Sequence, residues 1–223
     1  MLGIIGGTSL LFCDLPQLDR QRMYTPYGPA DLRTGEVILL LRHQDGIPPH
    51  CINHRAHLAA LALAGADHVI SIGSVGSLQP EIPPGSLLIP DDYVTFGEVP
   101  TIHDHAIVHL RPEISTSLRE DLASVVPEAR SGGVYVQTRG PRLETRAEVR
   151  MLSRIGDVVG MTLASEATLA LELGLSFAAL CTVDNYAHGI GKEVPSYEHI
   201  LTAARGHQDR TREQLARIIE RLG

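Results

Sequence analysis

An α/β fold, in which helices flank a mixed and largely parallel sheet, is what this sequence predicts, on three observations. Short apolar runs of strand length alternate with stretches of helical periodicity. Most of those runs are apolar at consecutive positions, as expected of strands covered on both faces. Gly-rich turns fall where strands end. With 223 residues, 43% of them hydrophobic, the chain can bury one substantial core, and one domain over residues 1–223 is expected.

In chain order, Leu2–Ile5, Glu36–Leu41, His68–Ile72, Ser86–Ile89, Val134–Thr138 and Phe177–Val183 read as strands. Asn53–Ala64, Arg111–Val125, Glu144–Ser153 and Leu163–Leu173 read as helices between them. Ser196–Leu222 is helix-like, because Ile200, Ala203, Ala204, Leu215, Ile218, Ile219 and Leu222 recur at helical spacing. Pro80–Pro84 and Pro90–Pro100 read as loops on either side of a short strand.

Charge excludes some partners. A formal net charge of -7 argues against a dedicated nucleic-acid binder, which needs surplus Lys and Arg for the phosphates. No basic amphipathic stretch suits a membrane surface, and no apolar run approaches the roughly 20 residues of a membrane helix. The apolar N-terminal run lacks a basic flank and is broken by Gly6-Gly7-Thr8-Ser9, so a buried first strand is the better reading. Cys13, Cys51 and Cys181 form no C-x-x-C pair, which fits a reducing cytoplasm. His103, His105 and His109 lack the acidic or Cys partner of a metal site, so no metal is expected.

Candidate chemistry gathers at three places. Gly6-Gly7-Thr8-Ser9 and Gly73-Ser74-Val75-Gly76-Ser77 read as turns after strands, where small residues let an anion approach backbone N–H groups. Leu41-Arg42-His43 puts a guanidinium at a strand end, where it could clamp a phosphate bidentately. Each of these alone is also ordinary structure. The first turn does not have the G-x-G-x-x-G spacing of a dinucleotide loop, and no acid stands about 20 residues beyond it to hold a ribose diol.

Further motifs are Pro48-Pro49-His50-Cys51-Ile52-Asn53-His54-Arg55-Ala56, Gly140-Pro141-Arg142-Leu143-Glu144-Thr145 with Ala147-Glu148, and Gly160-Met161-Thr162. With Gly3–Thr8 and Arg42-His43, in this order, the chain resembles the purine nucleoside phosphorylase family, in the branch that holds the methylthioadenosine phosphorylases. The resemblance runs from Gly3 to about Leu222 and implies a three-layer phosphorylase-type fold. It also implies that Thr8, Arg42, His43, the Ser74 backbone N–H and the Thr162 hydroxyl enclose inorganic phosphate, a co-substrate used without any cofactor. Met161 would lie beneath the ribose and Leu143 on the purine face. Family members are typically trimers, or dimers of trimers, and His109 falls in the region that reaches a neighbour's site.

The resemblance also bears on the base. Adenine-specific members carry Asp-Tyr-Asp where this chain has Asn185-Tyr186-Ala187. An amide can donate to a 6-oxo group, and Glu144 can accept the N1–H that 6-oxopurines carry and adenine lacks. Asn185 and Glu144 are therefore the expected catalytic pair at the base, although a one-residue slip would bring Asp184 there instead. Position 197, where the family has either a His for a 5′-hydroxyl or an apolar residue for a 5′-methylthio group, holds Tyr197. The expected substrate is S-methyl-5′-thioinosine, with inosine or guanosine next and 5′-methylthioadenosine as the alternative. A hydrolytic nucleosidase and a non-catalytic nucleotide-binding module are the competing classes. Three departures from the family pattern stand out: the short Gln44-Asp45-Gly46, Ala164-Ser165-Glu166 in place of Val-Pro-Glu, and His54 where Tyr is usual.

Overall fold

The computed structural model describes residues 1–192 and 194–223. The elements run β1 (Leu2–Gly6), β2 (Asp19–Thr25), β3 (Gly28–Thr34), β4 (Ile38–Leu41), α1 (His54–Leu63), β5 (His68–Ser77), β6 (Leu87–Ile89), β7 (Asp92–Thr95) and α2 (Thr116–Val125). They continue with β8 (Arg130–Ser131), β9 (Val134–Gln137), α3 (Arg146–Leu152), β10 (Val158–Gly160), α4 (Leu163–Glu172), β11 (Ser176–Tyr186), α5 (Tyr197–Gly206) and α6 (Gln208–Leu222).

The strands form one branched, mixed sheet in the order β2-β3-β4-β1-β5-β10-β9-β7, with β11 also on β5 and carrying β6 and then β8. At its centre β1, β4, β5 and β11 are parallel where they pair. Their side chains alternate between two cores, as the two-residue period of a strand requires. Ile5, Ile38, Leu40, Val69, Phe177, Ala179 and Val183 pack on the face that α1 and α4 cover. Leu2, Ile4, Leu39, Ile70, Ile72, Ala178 and Leu180 pack on the opposite face, against α2 and α6. This double burial is why the central strands read as unbroken apolar runs.

Several expectations need correction. Gly73–Ser77 is not a turn but the second half of β5, which continues past the end of β1 to pair antiparallel with β10. Pro90–Pro100 is not all loop, since Asp92–Thr95 forms β7 beside β9. The hairpin of β2 and β3 was not foreseen, because β2 is largely exposed and carries no apolar alternation. The helix expected from Arg111 starts at Thr116, where Ser115 takes the Leu118 N–H and caps it. Ser196–Leu222 is two helices, broken at His207 just after Gly206, a residue of poor helix propensity. No helix among the described residues is long and apolar enough to cross a membrane.

Candidate active site

A cavity of about 500 Å³ opens where the central strands end. Its lining includes ten of the predicted residues: Thr8, Arg42, His43, Ser74, Leu143, Glu144, Met161, Thr162, Asp184 and Asn185. His109 is not among them; it lies exposed on the irregular stretch between β7 and α2.

Part of the lining forms a cradle. β1 stops at Gly6 opposite Ile72 and β10 joins this edge of β5 only at Gly76, so the edge is unpaired between them, and Ser74 reaches the cavity. Thr8 opens a short 3-10 turn, and the neighbouring Ser9 hydroxyl lies 3.1 Å from that of Ser74. Thr162 is the N-cap of α4, yet its hydroxyl caps nothing. The buried Tyr135 hydroxyl instead accepts the N–H groups of Thr162 and Leu163, at 3.3 and 3.4 Å. The Thr162 hydroxyl is thereby left for a ligand, at a helix end whose dipole favours anions.

Arg42 does not stand as a free bidentate clamp. Its Nε and Nη2 donate to Glu166 at 2.5 and 3.0 Å, and Nη2 also donates to the Ser71 hydroxyl at 2.8 Å. Ser71 in turn donates to Glu166 at 2.7 Å. The fork that would have gripped an anion is therefore spent on a buried carboxylate, and only Nη1 faces the Gly-rich loop. A Cβ at Gly7 would run into that Nη1, so glycine is needed for the backbone to come so close. Burial penalises the Glu166 charge, but the Arg42 guanidinium outweighs it and holds the carboxyl below its ordinary range. Sequence reading noted Glu166 only as part of a departure from the family pattern, because its partner lies 124 residues away.

His43 directs Nδ1 at the Ile47 carbonyl, 2.8 Å away, and a carbonyl can only accept. Burial lowers its pKa, and the Arg42 charge adds to this against the pull of the Ile47 carbonyl. A neutral His43 therefore presents the Nε2 lone pair, which suits a protonated phosphate oxygen better than a bare one. His54 is buried near Glu166, with Nδ1 3.9 Å from Oε1, and burial pushes its pKa down to about 4. Ser165 is locked by Gln137, whose Oε1 accepts the Ser165 N–H at 3.1 Å while Nε2 donates to its hydroxyl at 2.7 Å. Proline at that position would offer neither group.

The same cavity wall also carries amide and carboxyl groups. Glu144 is buried and accepts the Thr138 hydroxyl on Oε1 at 2.6 Å, leaving Oε2 to accept from a ligand. The capping box of α3 is completed by Thr145 and Glu148, so Glu144 is not needed as the helix-terminal carboxylate. Asn185 spends one amide hydrogen on the Tyr186 carbonyl at 2.8 Å and keeps the other. Gly140, at φ 66, leaves the room that Met161 fills; a Cβ there would strike its sulfur. Apolar side chains of Leu11, Ile47, Pro195 and Ile200, with Tyr197, also belong to the lining.

Comparison with known proteins places the chain in a family. The model of the phosphorylase superfamily matches residues 1–222. A probable 6-oxopurine nucleoside phosphorylase of Archaeoglobus fulgidus is 45% identical over 218 residues, covering 92% of this chain and 90% of that protein. A probable S-methyl-5′-thioinosine phosphorylase of Methanocaldococcus jannaschii is 37% identical over 215 residues, covering 90% of this chain and 84% of that protein. Among solved structures, a mutant adenosine/methylthioadenosine phosphorylase of Schistosoma mansoni in complex with methylthioadenosine superposes with a TM-score of 0.90. It is 26% identical, and the match covers 100% of this chain and 91% of that one.

Proposed function

Because this chain belongs to the phosphorylase superfamily, we propose that it uses inorganic phosphate to split the glycosidic bond of a 6-oxopurine nucleoside, S-methyl-5′-thioinosine above all. The products are the free purine and the 1-phosphate of the (methylthio)ribose. The observation that carries this reading is a single cavity lined both by an anion cradle and by Glu144 and Asn185.

Thr8, Arg42, Ser74 and Thr162 hold phosphate below the anomeric carbon, and alignment of the nucleophile replaces a bimolecular encounter. Arg42 contributes charge and Nη1, while Glu166 and Ser71 fix where that charge stands. As the C1′–N9 bond breaks and the C1′–O bond forms, the sugar gains oxocarbenium character that the phosphate dianion stabilises. Electron density flows into the purine. The free Asn185 amide hydrogen meets O6, and Glu144 Oε2 accepts N1–H. Adenine would leave both groups without partners, at a cost of about 1–3 kcal/mol each.

The apolar Leu11, Ile47, Pro195 and Ile200 in the lining suit a 5′-methylthio group better than a 5′-hydroxyl, which would bury a polar group against them. Inosine and guanosine come next. We further propose that the enzyme needs no metal or organic cofactor, works in the cytoplasm, and assembles as a trimer or a dimer of trimers. Exposed Ile107, Val108 and Leu110 surround His109 on a surface that a neighbouring subunit would cover.

A nucleoside panel assayed with and without phosphate, reading free base, tests the proposal. Methylthioinosine and inosine should release base only with phosphate, and faster than their adenine counterparts. Equal release in phosphate-free buffer would make the enzyme a hydrolase.

A further inference from the structure

The end of β11 carries a bulge that the reaction as derived above leaves unexplained. Val183 pairs with Val75 and Asn185 with Gly76, so Asp184 is the extra residue and has no partner across the ladder. Asp184 is 7% exposed, lines the cavity, and among the described residues has no hydrogen-bond partner on either carboxylate oxygen. A buried carboxylate left so bare is expensive to keep ionised.

Its surroundings explain why nothing neutralises it. The Ser74 hydroxyl, part of the anion cradle, lies close enough to favour the ionised form without completing a bond to either oxygen. Arg210 of α6 attracts it through space; its Nη1 donates to the Gly85 carbonyl at 2.7 Å, and among the described residues its buried Nε and Nη2 have no partner and make no ion pair with Asp184. His207, at the break between α5 and α6, stands beside Arg210. Arg42, His43, Glu144, His188 and Tyr197 are the other titratable groups on the cavity wall. Burial outweighs both attractions and pushes the Asp184 carboxyl up to about 6.

Resting on the phosphorolytic reading of the same cavity, we propose that Asp184 is a further phosphate-binding residue, which takes up one proton as the dianion enters and then donates a hydrogen bond to it. An ionised carboxylate beside a phosphate dianion can accept only its single P–OH, which the His43 Nε2 lone pair also suits, and repels the bare oxygens. The neutral acid instead gains an O–H donor toward them. Little is needed to tip the balance, since burial already raises the Asp184 carboxyl toward the neutral range. That proton comes from solvent and returns to it when the anion leaves, so no bond other than O–H is made or broken.

Sulfate is the probe, because it does not titrate near neutrality and any proton taken up belongs to the protein. Binding heats measured in two buffers of different ionisation enthalpy should give about 0.5–1 proton taken up per sulfate near pH 7, falling toward zero near pH 5. Asp184→Asn should still bind sulfate, its amide already being a donor, with the uptake lost. On wild type, an infrared difference spectrum should show a protonated-carboxyl band that sulfate induces. Sulfate binding without proton uptake, or uptake that persists in Asp184→Asn and so belongs to His43, overturns the proposal. Failure of wild type to bind either sulfate or phosphate would overturn the phosphorolytic reading first, and this proposal with it.

Discussion

Glu166→Gln tests whether Arg42 is held by its buried partner. Both residues are almost fully buried, at 3% and 1% exposure, and Glu166 receives three charge-assisted or hydroxyl hydrogen bonds from Arg42 and Ser71. Glutamine keeps the shape but removes the charge, and its NH₂ turns a donor toward groups that also donate. Breaking a buried ion pair from one side costs about 3–5 kcal/mol, because the remaining charge stays buried and uncompensated. At roughly 2–4 °C per kcal/mol for a domain of this size, thermal unfolding should start about 6–20 °C lower. Phosphate would then serve as the missing counter-charge, so saturating phosphate should raise the melting temperature of the variant more than that of wild type. Replacing the pair with apolar side chains, Arg42→Met with Glu166→Leu, should recover most of the lost stability and abolish the phosphate-induced rise. Scanning calorimetry with and without phosphate reads all three proteins. If Glu166→Gln melts within about 2 °C of wild type, the pair does not hold Arg42 as its geometry indicates.

Gly7→Ala should displace the Arg42 guanidinium, whose Nη1 occupies the space of the new methyl, and raise the phosphate KM with little effect on nucleoside binding; steady-state kinetics varying each substrate in turn checks this. Asn185→Asp should narrow a preference for 6-oxopurine over 6-aminopurine nucleosides that reaches about a hundredfold or more from two unsatisfied polar groups. A wild type that prefers methylthioadenosine would refute the base assignment. Asp184 has its carboxyl raised from 3.8 to about 6, so its contribution to stability is full below about pH 4 and is lost as the pH rises through 6. Asp184→Asn should therefore match wild type near pH 4 and exceed it above pH 7 by up to about 3 kcal/mol, read as the difference in melting temperature. Taking the difference matters because buried His54 and His57, both held down at about 4, destabilise the fold in the opposite direction as the pH falls. Light scattering should find a trimer, and a fully active monomer on dilution would remove the role proposed for His109.

Local pattern was enough for the central architecture. β1, β4, β5 and β11 are buried on both faces, so their residues are apolar without interruption, and α1 and α4 carry their own periodicity. Gly7 and Thr162 were legible for a related reason, since an anion-facing loop or helix start imposes its residue types over a few positions. The hairpin of β2 and β3 was not legible, because β2 is largely exposed and polar and β3 buries only Ala30 and Leu32, too short an alternation to mark a strand. Nor was the state of Arg42, which follows from Glu166 and Ser71 on two other elements. Whether Asp184 or Asn185 faces the base depends on a bulge in β11, set by how that strand meets β5 after the chain has packed. Burial and pairing between distant segments are properties of the folded chain. They decide which charge is spent within the protein and which is left for a substrate.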